Sequence, residues 1–134
     1  MLIRKLFSPT MIKVNLHTKP YINEKINRKT QLNIEAYQGK NEEQIKARIK
    51  ELEYEWDTER TLETNFALIV ILTAILGLFG KRLWFLISGI AGFFMIQHAF
   101  QGWCPPLSII RRCEIRTASE IMDEKEALKR LLSY

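Results

Sequence analysis

The 134-residue chain has room for one ordinary domain, and 47% of its residues are apolar although its mean hydropathy is only -0.11, so the apolar residues must be concentrated in one part. The net charge of +5 does not indicate nucleic-acid binding, because basic and acidic residues are interleaved instead of forming a basic block. Two cysteines, Cys104 and Cys113, are too few for a disulfide framework, so we expect free thiols.

The N-terminal part of the chain is polar. Residues 1–17 have no regular apolar spacing and no apolar run of signal-peptide length, so they are an unassigned leader in which Met11 is an alternative start. Residues 18–60 are predicted to form an N-terminal cytoplasmic helical segment. It opens with a short helix marked by Ile22, Ile26 and Ile34.

A second, amphipathic helix is predicted later in the same segment. Asn41 and Gln44 have the spacing of a capping box at a helix start. The apolar residues that follow recur on one helical face: Ile45, Ile49, Leu52 and Trp56.

Residues 61–100 predict a transmembrane helical hairpin. Between positions 66 and 100 the only charged residues are Lys81 and Arg82. As a helix, residues 83–100 would span about 27 Å, close to the hydrocarbon thickness, whereas residues 66–79 would span only about 21 Å. We therefore expect the first helix to begin earlier, including Leu62, with Glu63 and Asn65 at the interface. Residues 80–82 leave room only for a tight turn, which places both hairpin ends on one side of the membrane.

The basic residues predict which side this is. Four Lys or Arg precede the first helix between positions 46 and 60, three follow the second between 111 and 116, and two lie in the turn. Segments on the cytoplasmic side carry such an excess of basic residues. We expect a multi-pass protein of the bacterial inner membrane with both termini in the cytoplasm.

Small residues recur four positions apart on both predicted membrane helices, as Thr73 with Gly77 and as Ser88 with Gly92. Such pairs allow helix backbones to approach closely in lipid. Packing of the two hairpin helices on each other is the favoured interpretation. The alternative is a contact face for a homo-oligomer or a membrane-protein partner.

Residues 101–134 are predicted as a Cys-Pro segment followed by a C-terminal amphipathic helix. Thr117 and Glu120 form a capping box, and the apolar residues of this helix fall largely on one side: Ala118, Ile121, Leu128, Leu131 and Leu132. We expect this helix to pack on the stripe from Ile45 to Trp56. Docking on anionic lipids through its basic residues is the alternative.

Polar and aromatic residues cluster where the second helix leaves the membrane. This helix-end cluster consists of Gln97, His98, Trp103, Pro105 and Pro106, and Cys104 within it is the candidate functional thiol. Polar groups at this depth are costly and often functional. In the structural interpretation, which is the favoured one, the prolines end the helix, Trp103 anchors at the headgroup level and Cys104 packs as a small apolar residue.

A second group, the interfacial cluster, precedes the first helix and consists of Trp56, Asp57, Glu59, Arg60 and Glu63. We expect Arg60 to pair with Asp57 or Glu63 and thereby seat the helix at the membrane edge. The sequence shows no nucleophile-and-base pattern, and His98 with Cys104 supplies too few metal ligands. We therefore expect a protein that is not an enzyme and holds no metal and no cofactor.

Several segments resemble a known family: ELEYEWDTERTLETN before the first span, QHAFQGWCPP at the end of the second, and then LSIIRRCEIRTASEI and EKEALKRL. Together they are similar to small bacterial membrane proteins of unknown function that share the YgaP-like transmembrane domain. The resemblance covers residues 18–132 and implies an inner-membrane hairpin followed by a Cys-Pro, matched here by Cys104 and Pro105. Some relatives add a rhodanese sulfurtransferase module, which these residues do not contain, so that activity does not carry over.

The sequence predicts an all-α membrane protein, with a two-helix transmembrane hairpin flanked by cytoplasmic amphipathic helices. Three functions fit it. The first is a noncatalytic membrane protein that contacts the lipid bilayer and associates with itself or with a membrane-protein partner. The second is a sulfur-linked accessory in which Cys104 carries or relays persulfide sulfur or aids sulfur-anion transport. The third is an oligomeric pore.

Overall fold

A computed structural model describes residues 7–133, so residues 1–6 of the unassigned leader, and residue 134, lie outside the described part of the chain. The described part contains no strand. It forms seven helices, which we number in chain order: α1 (Lys13–Leu16), α2 (Pro20–Tyr37), α3 (Glu42–Tyr54), α4 (Thr58–Phe79), α5 (Leu83–Gln101), α6 (Pro105–Arg112) and α7 (Ala118–Leu132).

The helix starts follow local side-chain chemistry. Asn41 accepts a hydrogen bond from the Gln44 backbone N–H at 2.9 Å, which satisfies one free N–H of α3. At α7 the capping box is complete, because Thr117 accepts from the Glu120 N–H and Glu120 accepts from the Thr117 N–H. The predicted short helix around Ile22 is longer than expected: α2 has 18 residues and begins with Pro20 in its first turn.

The predicted hairpin is present as α4 and α5, which pack against each other and are joined by the turn at residues 80–82. As expected, the first membrane helix begins well before Phe66. Asp57 caps it by accepting a hydrogen bond from the Arg60 N–H at 2.8 Å. Its 22 residues correspond to a length of about 33 Å, enough to cross the hydrocarbon layer.

The hairpin surface is apolar over a long stretch. Apart from Lys81 and Arg82 in the turn, every exposed residue from Ala67 to Ile96 is apolar or glycine. Both helices are long and apolar enough to cross a membrane, and little of their apolar surface is buried within the chain. Exposure of an apolar surface of this extent to water is energetically unfavourable, whereas the hydrocarbon core of a bilayer solvates it. The chain is an integral membrane protein.

The prolines after α5 do not end that helix, contrary to the structural interpretation of the helix-end cluster. Gly102 ends it, with a left-handed φ of +79° and an N–H that donates to the His98 carbonyl at 2.7 Å. Pro105 and Pro106 instead begin α6, where the missing N–H of proline costs nothing. Cys104 lies between the two helices, in an extended conformation.

Two apolar clusters hold the helices together. The first joins α3 and α7 through Ile45, Leu52, Ile121 and Leu128, so that α7 lies on the Ile45–Leu52 face, with α2 packed against its other side. We call α2, α3 and α7 the helical cap. The second cluster joins the hairpin to α1 and α6 and consists of Val14, Leu62, Phe66, Ala91, Cys104, Leu107 and Ile110. It forms the junction core, between the hairpin and the cap.

Candidate functional site

Two hydrogen bonds join the start of α4, the first membrane helix, to the segment that precedes α7. The Thr58 backbone N–H donates to the Arg116 carbonyl at 2.9 Å, and its hydroxyl donates to the Ile115 carbonyl at 3.1 Å. Thr58 is fully buried. Two segments that carry the family resemblance, EWDTER and IRTASE, therefore meet at this point although they are far apart in the sequence.

Arg116 lies at the centre of a buried ionic network. Its guanidinium donates to both carboxylate oxygens of Glu55, at 2.9 and 2.6 Å, to Glu124 and to the Thr30 hydroxyl. Glu124 is completely buried and also accepts from Arg48 at 3.0 Å and from Asn33 at 3.3 Å. The network thus links all three helices of the cap to the membrane-proximal segment.

The charge of Glu124 depends on these partners. Burial by itself raises the pKa of its carboxyl group, but the hydrogen bonds from Arg116 and Arg48 outweigh burial, and the pKa lies below its ordinary value. Glu124 is therefore ionised at neutral pH. A buried ion pair of this kind tolerates the loss of either partner poorly, because the other charge is left without compensation.

Arg111 forms a second buried network. Its side chain is 1% exposed, and all five of its N–H donors have acceptors. Two donate to Glu120 at 2.7 and 3.3 Å, and the others reach Thr18, Asn23 and the Ile115 carbonyl. Because Glu120 also completes the capping box of α7, Arg111 fixes where the last helix begins relative to α6.

His98 is the buried polar group of the helix-end cluster. Its side chain is 1% exposed, and its Nε2 lies 3.0 Å from a carboxylate oxygen of Glu59, which also lies 3.6 Å from the Lys13 Nζ. A carboxylate can only accept, so Nε2 donates. The other ring nitrogen, Nδ1, is buried and has no hydrogen-bond partner among residues 7–133. The buried Cys104 thiol lies beside the imidazole.

The interfacial cluster is divided between two environments. Glu59 joins His98, whereas Glu63 is exposed and Asp57 serves as the cap of α4. Arg60 differs from expectation. Within the described residues its side chain forms no ion pair with Asp57 or Glu63, and its guanidinium lies over the Trp56 ring, 5.3 Å from the ring centre. A cation-π contact thus replaces the expected ion pair at this position.

Within residues 7–133, none of the remaining candidate side chains forms a hydrogen bond with the His98 ring. Gln97 is half-buried, and Trp103 is 37% exposed. Thr73 and Gly77 are buried in the hairpin, where a Cβ atom built on Gly77 would lie 2.9 Å from the Phe85 ring. Ser88 and Gly92 are only half-buried, and a Cβ atom on Gly92 would meet nothing within 4 Å. Thr73 and Gly77 therefore serve contacts inside the chain, and Gly92 does not.

Between residues 7 and 133, no group of three or more His, Cys, Asp or Glu side chains is arranged to hold a metal ion. His98, Glu59 and Cys104 are neighbours, but they do not form such a group. The chemistry that this region offers is hydrogen bonding and a thiol next to an imidazole.

The chain matches one family model. The family described as Inner membrane protein YgaP-like, transmembrane domain, matches residues 57–120, which extend from the cap of α4 to the first turn of α7. Most of the helical cap, including α2 and α3, lies outside the matched residues. Comparisons with curated proteins and with solved structures gave no match.

Proposed function

Because residues 57–120 are a YgaP-like transmembrane domain, we propose that this inner-membrane protein acts without catalysis, by associating through its hairpin with a second copy or with a partner helix. The observation that carries the proposal is the open surface at Gly89 and Gly92 of α5, where added Cβ atoms would meet nothing within 4 Å. Small residues that face lipid allow another helix to approach closely.

The contrast between the two membrane helices supports this assignment. On α4, Thr73 and Gly77 are used inside the hairpin, since both are buried and Gly77 lies against the Phe85 ring. On α5, Gly89 is exposed and Gly92 is half-buried, and an added Cβ atom at either position would meet nothing within 4 Å. Association without conduction is the favoured form, because a pore needs a polar lining, and between Ala67 and Ile96 the exposed residues outside the turn are apolar or glycine.

Native mass measurements in lipid nanodiscs test self-association. We expect a dimer or larger oligomer for the natural sequence, and a roughly tenfold weaker association for Gly92→Leu, equivalent to about 1.4 kcal/mol. Ala67→Leu is the matched control, because Ala67 is also small and exposed but lies on α4. A monomeric natural protein that copurifies with no partner, or equal effects of the two substitutions, would contradict the proposal.

A sulfur-linked role for Cys104 is the second candidate, and one observation favours it. The thiol lies beside His98, whose buried Nδ1 has no partner among the described residues. An imidazole at this position can take the thiol proton and leave a nucleophilic thiolate. The thiolate would attack the terminal sulfur of a persulfide donor, forming a new S–S bond and displacing the donor as a thiolate.

Persulfide-specific labelling after exposure to glutathione persulfide tests this role. We expect label on Cys104 in the natural protein and in Cys113→Ala, but not in Cys104→Ala. Cys113 is a suitable control because its thiol is exposed and free, whereas Cys104 is buried. If only Cys113 is labelled, the thiol of Cys104 is a packing group of the junction core and the sulfur role is wrong.

We also propose that the helical cap and both termini lie in the cytoplasm. The tight turn at residues 80–82 supports the placement of both hairpin ends on one side of the membrane. The excess of basic residues beside those ends supports the cytoplasmic side.

A further inference from the structure

Residues 7–18, which we call the N-terminal strap, lie across the end of the second membrane helix. The Ser8 backbone N–H donates to the Phe100 carbonyl at 2.9 Å, and its hydroxyl donates to the Gln101 carbonyl at 2.7 Å. The last carbonyl groups of a helix lack partners within the helix, so these bonds complete the end of α5. The Phe7 ring packs edge-on against Phe100, with ring centres 4.9 Å apart.

The side of the strap that faces the hairpin contacts both membrane helices, through apolar packing, a close backbone approach and an ion pair. Val14 is 3% exposed and belongs to the junction core. The Lys13 backbone passes so close to Gly102 that a Cβ atom there would lie 2.6 Å from the Lys13 carbonyl oxygen. The Lys13 ammonium group reaches Glu59 of α4 at 3.6 Å. The strap is therefore packed against the hairpin as part of the folded junction.

The outer side of the strap is apolar and exposed. Ile12 and Leu16 are four residues apart and share a helical face, whereas Val14 points to the opposite side. Met11, Ile12 and Leu16 are 67%, 48% and 58% exposed, and Phe7 is 42% exposed. Four large, exposed apolar side chains on one short segment form an apolar patch, and such patches usually mark a surface that binds a partner or a membrane.

Continuity with the lipid-facing surface identifies that partner as the bilayer. Phe7 contacts Phe100, which is itself 42% exposed and lies at the end of the second span. The patch thus begins where the lipid-facing surface of the hairpin ends, at the depth of the headgroups. We propose that the N-terminal strap is a third membrane-contacting element, which lies in the interface and inserts Met11, Ile12 and Leu16 among the lipid headgroups.

Spin labels on the full-length protein in nanodiscs test the proposal. In a Cys113→Ser background, single cysteines at Ile12 and Leu16 carry the label, Leu72→Cys is the lipid reference and Lys129→Cys is the water reference. All four residues are exposed, so labelling is expected to preserve the fold. A preparation of the Cys113→Ser background alone measures any label that the buried Cys104 takes up, and that signal is subtracted from the spectra of the other variants.

We expect the labels at positions 12 and 16 to collide often with oxygen, as at Leu72, and severalfold less often than at Lys129 with a water-soluble nickel chelate. Nickel collisions equal to those at Lys129 would overturn the proposal, because the patch would then face water. Low collision rates with both reagents would overturn it too, because a protein surface would then cover the patch. Neither result depends on whether α5 forms an oligomer through Gly92.

Discussion

Replacement of Glu124 with alanine is expected to unfold the helical cap while the hairpin stays helical. The substitution removes the carboxylate that accepts from Arg116 and Arg48. Among residues 7–133 it leaves the buried guanidinium group of Arg116 with Glu55 as its one anionic partner. Breaking one partner of a buried ion pair costs about 3–5 kcal/mol, which is a large part of the stability of a small helical unit. A urea titration in detergent micelles, followed by circular dichroism, measures the loss.

A matched control separates this effect from the general loss of a charge. Glu53 also joins α3 to α7, through a 3.0 Å ion pair with Lys125, but its side chain is 50% exposed. Glu53→Ala is therefore expected to cost no more than about 1 kcal/mol. If Glu53→Ala and Glu124→Ala lower the urea midpoint equally, the buried network does not hold the cap together, and the apolar contacts of Ile45, Leu52 and Leu128 carry its stability.

The sequence predicts the hairpin well because the membrane imposes simple rules. An apolar run of sufficient length and a short turn are both local features, and α4 and α5 follow them. The capping box at Thr117 is equally local, and the structure confirms it. The error at Pro105 has a local cause as well: proline ends one helix or begins the next, and Gly102 decides between these outcomes here by ending α5 first.

The buried networks could not be predicted in the same way. Arg116 pairs with Glu55, which lies 61 residues earlier, and Arg111 reaches Thr18, 93 residues earlier. A charged residue in a polar stretch is usually solvated, so nothing in the sequence marks Arg111 or Glu124 as buried. The sequence marks His98 as a costly polar residue near the membrane, but it does not indicate that Glu59, 39 residues earlier, is its partner.

The side of the membrane on which the cap lies can be decided by reporter fusions. A fluorescent protein fused after residue 134 is expected to fluoresce, since it would be in the cytoplasm. Alkaline phosphatase inserted at residues 80–82 is expected to be active, since it would be in the periplasm. The reason is the distribution of seven Lys or Arg beside the outer hairpin ends against two in the turn.

The ion pairs of the folded cap do not weaken this prediction. Arg48, Arg111 and Arg116 are paired with glutamates in the structure, so the folded cap presents less positive charge than the sequence suggests. Insertion, however, responds to basic residues near the spans, and Asp and Glu contribute little to it. A variant with extra lysines in the turn is therefore expected to insert in both orientations, whereas the same number of added glutamates should leave the orientation unchanged. Inactive phosphatase at the turn together with a dark C-terminal fusion would reverse the assignment and place the cap, the strap and Cys104 in the oxidising periplasm.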